Sequence, residues 1–514
     1  MSTHYMIGVD IGTTSTKAVL FEENGVIVEQ ANVGYPLHKP SPSAAEQDPE
    51  EIWHAVIATI SQVMQKSGIE PGKVLFLSFS SAMHSMIAVN IHGIPLTQCI
   101  TWADNRSAEY AMRLKLELNG HELYMRTGTP IHPMSPITKL MWLHQEHPDI
   151  FGKASKFISI KEYVFAKLFG EYIVDHSIAS ATGMLNLENL DWDAEALKIA
   201  GITAERLSRL VPTTHVMQGL SPGMAEQLGL LSDTPFVVGA SDGVLSNLGV
   251  GAIQPGVVAA TIGTSGAIRT VVDRPVTDPK GRIFCYALTE QHWVIGGPVN
   301  NGGMLFRWVR DEFAAPEVET AKRLGIDPYE VLTRIAEGVP AGSDGLLFHP
   351  YLTGERAPLW NPDARGSFFG LTMNHRKEHM IRSVLEGVIF NMYTVLLAME
   401  EQIGRPQRIL ATGGFARSFL WRQMMSDIFD QEVVVPESVE SSCLGAVVLG
   451  LYATGKADSL EIVFDMIGST HQHTPIERNA KIYKNLLPIF ISIYRNLESQ
   501  YEAIAKFQRE QAGE

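Results

Sequence analysis

The first eighty residues alternate apolar and polar positions in a pattern that predicts three short strands, a helix and a fourth strand. Apolar runs at residues 5–9, 17–21 and 26–31 are joined by glycine turns, which is typical of an antiparallel meander. The segment "DPEEIWHAVIATISQVMQKSG" then carries apolar residues at helical spacing, with Asp48 as the predicted N-cap and Gly68 as the predicted end. The strand "VLFLSFS" follows. These elements together predict an α/β domain.

The second half of the chain repeats this plan. Predicted strands at residues 257–261 and 267–272 flank a glycine turn, and "HWVIGG" supplies a third strand. Helices are predicted at about 303–313 and 378–402. A strand, a Gly-Gly turn and a helix follow in "RILATGGFARSFLWRQMMSDIF", and "SSCLGAVVLGLYATG" predicts a buried closing helix. The repeat indicates a duplicated domain rather than a short-period array.

Length and charge narrow the possibilities. The chain has 514 residues, too many for one hydrophobic core, and we expect an N-terminal domain at residues 1–251 and a C-terminal domain at 252–514. The net charge of −15 argues against nucleic acid or an anionic membrane as a partner. No secretory signal, no apolar run of ~20 residues and no close pair of cysteines is found. We therefore expect a cytoplasmic protein with reduced cysteines and no zinc site.

The same Ile-Gly-Thr core occurs twice, in "VDIGTTSTKAVLF" near the start and in "VVAATIGTSGAIRTVV" in the second half. A glycine turn lets backbone N–H groups approach an anion closely, and threonine hydroxyls add donors. One copy alone is more often a plain hairpin turn. Two copies at matching places predict a polyphosphate held from both sides. The chain has no GxxxxGK[ST] loop and no GxGxxG between a strand and a helix, so P-loop and dinucleotide sites are not indicated.

Two longer segments carry a resemblance to a known family. "MSPITKLMWLHQE", with Pro136, Lys139 and Trp142, and "GSFFGLTMNHRKEHMIRSVLEG" are similar to the two signatures of the FGGY family of carbohydrate kinases. With both Gly-Thr turns, the resemblance extends over about residues 5–455. It implies two duplicated ribonuclease-H-like ATPase domains, as in actin and hexokinases, with a cleft between them. It also implies ATP and Mg²⁺ as cofactors.

The resemblance implies roles for residues around the two turns. Asp242 follows the strand "PFVVGAS" and occupies the position of the family's catalytic base, although a plain helix N-cap is an equal interpretation of the residue type. Asp10 suits a magnesium ion that keeps most of its waters. The other phosphate contacts are Gly12, Thr13, Thr14 and Lys17 on one side, and Gly263 and Thr264 on the other. Lys17 could equally be a solvated strand lysine.

The nucleoside end is expected near glycine turns of the second half. Gly413 and Gly414 lie between a predicted strand and a predicted helix, where bare backbone can lie against a purine. Gly303 and Arg307 begin another helix that the family uses near the base. A surface salt bridge is the other interpretation of Arg307.

The acceptor residues are expected from the extra material of the first half, at about residues 84–235. The resemblance assigns the contacts to Met83, His84, Trp102, Asp104, Arg106, His132 and Asp242. Tryptophan can cover an apolar sugar face, while aspartate and arginine bind hydroxyls or a carboxylate. A core histidine is the alternative for His84, and a capped helix start is the alternative for "TWADNRS".

Within the family, "SFSSAMHSM", "TWADNRS", "RTGTPIHPMSP" and "FISIKEYVFAKLFG" are most similar to kinases that act on gluconate. Gluconate carries a carboxylate, which His84, Arg106 and His132 would meet with donor or cationic groups. We expect phosphorylation of D-gluconate to 6-phospho-D-gluconate, with xylulose or another polyol as the alternative acceptor. An actin-like or chaperone-like ATPase without a small acceptor is the alternative of another class. The sequence leaves a homodimer open.

Overall fold

The computed structural model describes residues 4–437 and 440–512. These residues form two compact units, each assembled from separated segments of the chain. Among these residues, the first unit comprises 4–253, 271–295 and 440–468, and the second comprises 254–270, 296–437 and 469–512. Each unit contains strands that pair both parallel and antiparallel, together with helices, as the predicted α/β class requires.

The strands, in chain order, are β1 (Tyr5–Ile11), β2 (Ser15–Glu22), β3 (Ile27–Gly34), β4 (Glu46–Gln47), β5 (Val74–Ser81), β6 (Ile87–Val89), β7 (Cys99–Ile100), β8 (Lys156–Ile158), β9 (Ile173–Asp175), β10 (Leu185–Asn186), β11 (Asp191–Trp192), β12 (Arg209–Val211), β13 (Val216–Met217), β14 (Phe236–Ser241), β15 (Val257–Ile262), β16 (Gly266–Val272), β17 (Phe284–Thr289), β18 (His292–Val299), β19 (Leu347–His349), β20 (Ser367–Phe369), β21 (Arg408–Thr412), β22 (Glu432–Pro436) and β23 (Ser469–His473).

The α-helices are α1 (Pro49–Ser67), α2 (Ala108–Glu117), α3 (Gly120–Thr127), α4 (Pro136–Glu146), α5 (Pro148–Lys153), α6 (Ile160–Phe169), α7 (His176–Ser180), α8 (Ala194–Ala200), α9 (Pro222–Leu228), α10 (Asp242–Gly249), α11 (Met304–Phe313), α12 (Ala315–Leu324), α13 (Pro328–Glu337), α14 (Lys377–Ile403), α15 (Phe419–Phe429), α16 (Ser441–Ala453), α17 (Val463–Met466) and α18 (Glu477–Ala512). Short 3-10 turns lie at Pro71–Lys73, Ala204–Arg206, Ser343–Gly345, Gly414–Arg417 and Leu460–Ile462.

The main sheet of the first unit has the strand order β13-β14-β5-β1-β2-β3. Strands β1, β2 and β3 pair antiparallel, which confirms the predicted meander. Strand β5 is parallel to β1, and β14 is parallel to β5. Parallel strands end at the same edge of a sheet, so the residues at the carboxyl ends of β1, β5 and β14 come together. Helix α1 begins after Asp48, which accepts a hydrogen bond from Glu50 N, and ends at Gly68 in the left-handed region, as predicted.

The second unit repeats this arrangement around the second Gly-Thr turn. Strand β15 pairs antiparallel with β16 and parallel with β21, as β1 does with β2 and β5. Strand β22 extends the sheet in parallel, and β23 follows in antiparallel. The same hairpin with the same parallel neighbour in both units confirms the predicted duplication.

Helix α16 is the predicted closing helix, and it is buried along most of its length. Although it lies in the second half of the sequence, it packs on α10, β1 and β5 of the first unit. Glycines allow this close approach. A Cβ atom at Gly445 would lie 1.9 Å from Leu245 O, and one at Gly249 would lie 1.9 Å from Ser441 O. The first unit is not one continuous stretch of the chain, because segments after residue 251 also belong to it. A domain boundary at residue 251 therefore stays a prediction.

Helix α14 is, within the described part of the chain, the one helix long and apolar enough to cross a membrane by length and composition. However, 78% of its apolar window is buried inside the protein. It packs against α13, α15 and β19 of its own unit. These contacts identify α14 as a core helix of the second unit, at the place where the sequence pattern predicts a helix over 378–402.

Candidate active site

Two carboxylates come to the carboxyl edge of the first sheet. Asp10 of β1 is in register with Ser80 of β5, and its Oδ1 accepts a hydrogen bond of 2.6 Å from Ser80 Oγ. Ser81 of β5 is in register with Ser241 of β14, and Asp242 follows as the first residue of α10. Since Ser241 occupies the N-cap position, the interpretation of Asp242 as a plain N-cap is wrong.

The charges at this edge affect the ionisation of Asp10. Burial, followed by the negative charge of Asp242, raises the pKa of Asp10 to about 6, although Ser80 and Lys17 act in the opposite direction. Magnesium in kinases is usually bound by one or two carboxylates, with phosphate oxygens and waters as the other ligands. Asp10, with Asp242 nearby, fits this requirement. Among the described residues, no group of three or more His, Cys, Asp and Glu side chains could hold a metal ion.

The first Gly-Thr turn is held by side chains that sequence reasoning missed. The hydroxyl of Tyr35 donates a hydrogen bond of 2.6 Å to Gly12 O. Gln47 Nε2 donates a bond of 2.6 Å to Thr13 O. Thr14 is exposed at the tip of the turn. The carbonyl oxygens of Gly12 and Thr13 therefore point toward the protein, and these two hydrogen bonds fix the turn.

Lys17 lies on the strand after the turn and forms an ion pair with Glu440. Its Nζ lies 2.8 Å from Oε1 and 2.7 Å from Oε2 of that carboxylate. Lys17 is also opposite Asp10 in the register of β1 and β2. Its ammonium is thus paired with a carboxylate rather than simply solvated, and its approach to a phosphate stays a prediction.

The "TWADNRS" segment lies beside the first turn. Trp102 Nε1 donates a hydrogen bond of 2.9 Å to Thr13 Oγ1. Asp104 is buried and accepts a bond of 2.9 Å from Ala45 N. Helix α2 begins at Ala108, and its N-cap position is Ser107, the last residue of the segment, so the alternative in which Asp104 caps the helix is wrong. The structure therefore brings a predicted acceptor residue, Trp102, into contact with a predicted phosphate residue.

Arg106 contacts two carboxylates and an aromatic ring. Its Nη2 lies 2.8 Å from Asp104 Oδ2 and 2.5 Å from Glu46 Oε1. The guanidinium also lies 4.7 Å from the ring centroid of Trp142, a residue of the first family signature. Two carboxylates balance its charge, which weighs against a direct contact with an acceptor carboxylate. The assignment of Arg106 to the acceptor stays a prediction.

His84 is buried and has a positive φ of 66°. Its Nδ1 donates a hydrogen bond of 2.7 Å to Ala181 O, and its own carbonyl accepts one of 2.6 Å from Lys139 Nζ. Lys139 also donates to Thr101 O over 2.7 Å. Burial lowers the pKa of Lys139 to about 7. This signature lysine therefore ties the Met83-His84 loop to the loop that carries Trp102, a role that its sequence position did not reveal.

Met83 and His132 complete the predicted acceptor set. Met83 is half-buried and packs against the apolar cluster that contains Val174 and Ile178. His132 Nδ1 accepts a hydrogen bond of 3.1 Å from Met134 N, so the neutral ring carries its proton on Nε2.

Residues 239–243 read Gly-Ala-Ser-Asp-Gly across the turn from β14 to α10, which also matches the GxSxG pattern of serine hydrolases. Ser241 is fully buried, and Ser177 Oγ donates a hydrogen bond of 3.0 Å to its Oγ. A nucleophilic serine needs access to substrate and a base within reach. The serine is therefore structural.

The second unit contains a cavity of about 680 Å³ next to the second Gly-Thr turn. Five of the residues predicted to bind the nucleotide line it, namely Gly263, Thr264, Gly303, Arg307 and Gly414. This volume is typical of a small-molecule site. Arg307 forms no salt bridge within 4.0 Å with a carboxylate of the described residues, but after Arg310 its charge also lowers the pKa of the exposed Asp311. Both interpretations of Arg307 therefore stay predictions.

Hydrogen bonds and close contacts of the backbone shape this cavity. Gly303 N donates to Gly263 O over 2.7 Å, and Met304 N donates to Thr264 O over 3.1 Å. Helix α11 thus begins on the second Gly-Thr turn. Gly413, the remaining predicted residue, has a φ of 95°, and a Cβ atom there would lie 2.3 Å from Ile262 O. Gly413 allows two strand ends to approach, rather than lining the cavity.

Helix α13 forms a wall of the cavity that sequence reasoning missed. It contributes Tyr329, Glu330, Thr333, Arg334 and Glu337. The helix starts with Asp327 as N-cap and a proline at its first position, a start signal that the sequence does contain. The aromatic side chains of the wall pack together, with ring centroids 5.1 Å apart for Phe306 and Tyr329 and 5.6 Å apart for Phe306 and Trp421. Such a wall suits the flat face of a nucleobase.

Comparisons with known proteins agree with this geometry. Residues 5–249 match the N-terminal domain of the FGGY family of carbohydrate kinases, and residues 258–454 match its C-terminal domain. The chain is 66% identical to the gluconokinase of Bacillus subtilis over 509 residues, which is 99% of each chain. A crystal structure of gluconate kinase from Lactobacillus acidophilus is 40% identical, with a TM-score of 0.93 over 98% of this chain and 100% of that one. A ligand-bound xylulose kinase from the same organism is also 40% identical, with a TM-score of 0.92 over the same shares.

The chain therefore belongs to the FGGY family of carbohydrate kinases. Its fold is the predicted duplicated α/β architecture of the actin and hexokinase type. ATP-dependent phosphorylation of a small carbohydrate is the activity that this family implies. The acceptor-free ATPase of the chaperone or actin kind finds no support.

Proposed function

We propose that this protein transfers the γ-phosphoryl group of ATP to the terminal hydroxyl of D-gluconate and forms 6-phospho-D-gluconate. The observation that carries the proposal is the 66% identity to a curated gluconokinase over 99% of both chains. The 40% identity to a protein described as a xylulose kinase keeps D-xylulose as the second candidate.

In this proposal Asp242 is the general base. Its position at the carboxyl edge, beside Asp10, supports this role. General-base catalysis requires a group that accepts the hydroxyl proton in the transition state. Asp10 would hold Mg²⁺, which would neutralise charge on the phosphates. The acceptor would be bound by Met83, His84, Trp102, Asp104, Arg106 and His132.

The nucleotide would lie against both Gly-Thr turns. Thr13, Thr14 and Lys17 would contact the γ-phosphate, and Gly263 and Thr264 the β-phosphate. Gly12 would let the backbone of the first turn approach the nucleotide. The cavity of the second unit would receive the nucleoside, with Gly303, Arg307 and Gly414 lining it. Gly413 would contribute by allowing the close approach of the strand ends behind Gly414. We further propose a location in the cytoplasm, and a division into an N-terminal domain at 1–251 and a C-terminal domain at 252–514.

The test is a coupled ADP assay on the purified protein with D-gluconate and D-xylulose as acceptors. We expect a higher kcat/KM for D-gluconate and a product that 6-phosphogluconate dehydrogenase oxidises. A preference for D-xylulose would refute the gluconate assignment and leave the kinase class intact. Omission of acceptor measures wasteful hydrolysis, and removal of Mg²⁺ with EDTA should abolish turnover.

A further inference from the structure

Strand β14 is irregular shortly before Asp242. Its register against β5 shifts between Val237 and Ala240, and Gly239 in this interval has a φ of 72°. A Cβ atom at Gly239 would lie 1.8 Å from Phe79 O, so that only glycine fits. Bulges of this kind bend a strand and are frequent beside active sites, because they redirect the residues that follow. The direction of Asp242 therefore depends on how this irregular segment is held.

A buried lysine holds the segment. Lys161 of α6 donates hydrogen bonds of 3.2 Å to Val238 O and 3.1 Å to Ala240 O. Its Nζ also lies 2.6 Å from Asp175 Oδ2, and the two side chains are 3% and 0% exposed. An ammonium has three donors. Two of them are used by the carbonyl oxygens of Val238 and Ala240, and the charge is paired with the Asp175 carboxylate. A buried ion pair by itself is weak evidence for stability, so the geometry around it indicates what the pair does.

The partner carboxylate connects this lysine to a second contact. Asp175 caps helix α7 through its other oxygen, Oδ1. In the first turn of α7, Ser177 Oγ accepts a hydrogen bond of 3.1 Å from Ser241 N and donates one of 3.0 Å to Ser241 Oγ. Lys161, Asp175 and Ser177 therefore fix the backbone at three of the four positions that precede Asp242.

We propose that Lys161 is a positioning residue for the Asp242 carboxylate. It acts through the carbonyl groups of Val238 and Ala240, holds the irregular end of β14, and contacts neither substrate. The inference rests on the proposed role of Asp242 as the base. A misplacement of about 1 Å can lower a rate by about 10²-fold, so the loss of this support should appear in kcat.

The first test compares Lys161→Met with the double variant Lys161→Met/Asp175→Asn. The single variant should lose about 10²-fold in kcat with little change in the KM values, and it should also melt earlier because it leaves a buried carboxylate unpaired. The asparagine removes that charge and can still cap α7. We expect the double variant to regain thermal stability and to keep the low kcat. If kcat recovers together with stability, the lysine is merely structural and the inference is overturned.

A second pair of variants decides the question if Lys161→Met does not fold. Ser177→Ala removes the bonds to Ser241 and should lower kcat by about two- to tenfold. Ser180→Ala is the matched control, because it is equally buried on the same helix and its Oγ donates to Ser177 O rather than to β14. Equal kcat values for the two variants would overturn the inference.

A third comparison uses the other buried lysine, Lys139. Lys139→Met should raise the KM of the acceptor, because Lys139 binds the loops of His84 and Trp102.

All assays use whichever acceptor the wild type phosphorylates best, so an error in the gluconate assignment does not affect them. If Asp242→Asn retains turnover, the proposed base is wrong and the inference falls with it. If Asp242→Asn is inactive and Lys161→Met has normal kcat, the inference alone is refuted.

Discussion

Substitution of two glycines in the second unit should weaken ATP binding without lowering the stability of the protein. A Cβ atom at Gly263 would have its nearest neighbour, Ser265 O, at 4.0 Å, and one at Gly414 would meet no atom within 4 Å. Both residues line the cavity of about 680 Å³. Valine at either position should therefore fold without a clash and project into the space that we assign to ATP.

The size of the effect follows from the cost of overpacking. Extra methyl groups in a filled site cost about 1–3 kcal/mol. Since about 1.4 kcal/mol corresponds to a tenfold change in affinity, the Kd for ATP should rise by about 5- to 150-fold in Gly263→Val or Gly414→Val. The thermal midpoint of the ligand-free protein should stay near the wild-type value. Gly413→Ala should behave in the opposite way and lower the midpoint, because its Cβ would lie 2.3 Å from Ile262 O at a positive φ.

The assay combines calorimetric titration with ATP in the absence of acceptor and thermal unfolding without ligand. Gly223→Val is the matched control, since a Cβ atom there meets nothing within 4 Å and the residue lies in helix α9 of the first unit. It should change neither quantity. Wild-type ATP affinity in Gly263→Val, at a wild-type midpoint, would refute the assignment of the second Gly-Thr turn to the nucleotide.

Three further predictions follow. Asp242→Asn should lower kcat by about 10²–10⁴-fold with ATP affinity retained in titration, and near-normal turnover would rule out the base. Arg106→Ala should lower kcat/KM for D-gluconate more than for D-xylulose if the guanidinium reaches the acceptor; an equal loss for both would mean that it only supports Asp104 and Glu46. Burial lowers the pKa of Lys139 to about 7, so the folded state binds fewer protons than the unfolded state between about pH 7 and 10. As the pH rises through this window, the free energy of unfolding of the wild type, measured in urea, should increase relative to that of Lys139→Met by up to ~1.4 kcal/mol per pH unit. A difference that does not change with pH would contradict the lowered pKa.

Much of the site could be predicted because it lies where strands end. The two Gly-Thr turns, Asp10 and Asp242 follow predicted strands, and strand ends are visible in the hydrophobic pattern. Lys139 and Lys161 could not be given roles in this way. A lysine in a helix is ordinarily a solvated residue, and only the packing shows that the ammonium of each lies among backbone carbonyls. Helix α13 was missed although its Asp-Pro start is present, and with it a wall of the cavity.

The sequence by itself determined the local elements, the duplicated plan and the residue types that can bind phosphate, because these depend on short-range patterns and on side-chain chemistry. Only the tertiary structure decided which residues meet. Gly239 and Lys161 are far apart along the chain, and yet both act on the irregular end of β14. Helix α16 returns to the first unit because Gly445 and Gly249 permit close contact with α10. Such pairings arise from burial and close packing between distant segments, and no local pattern of the chain encodes them.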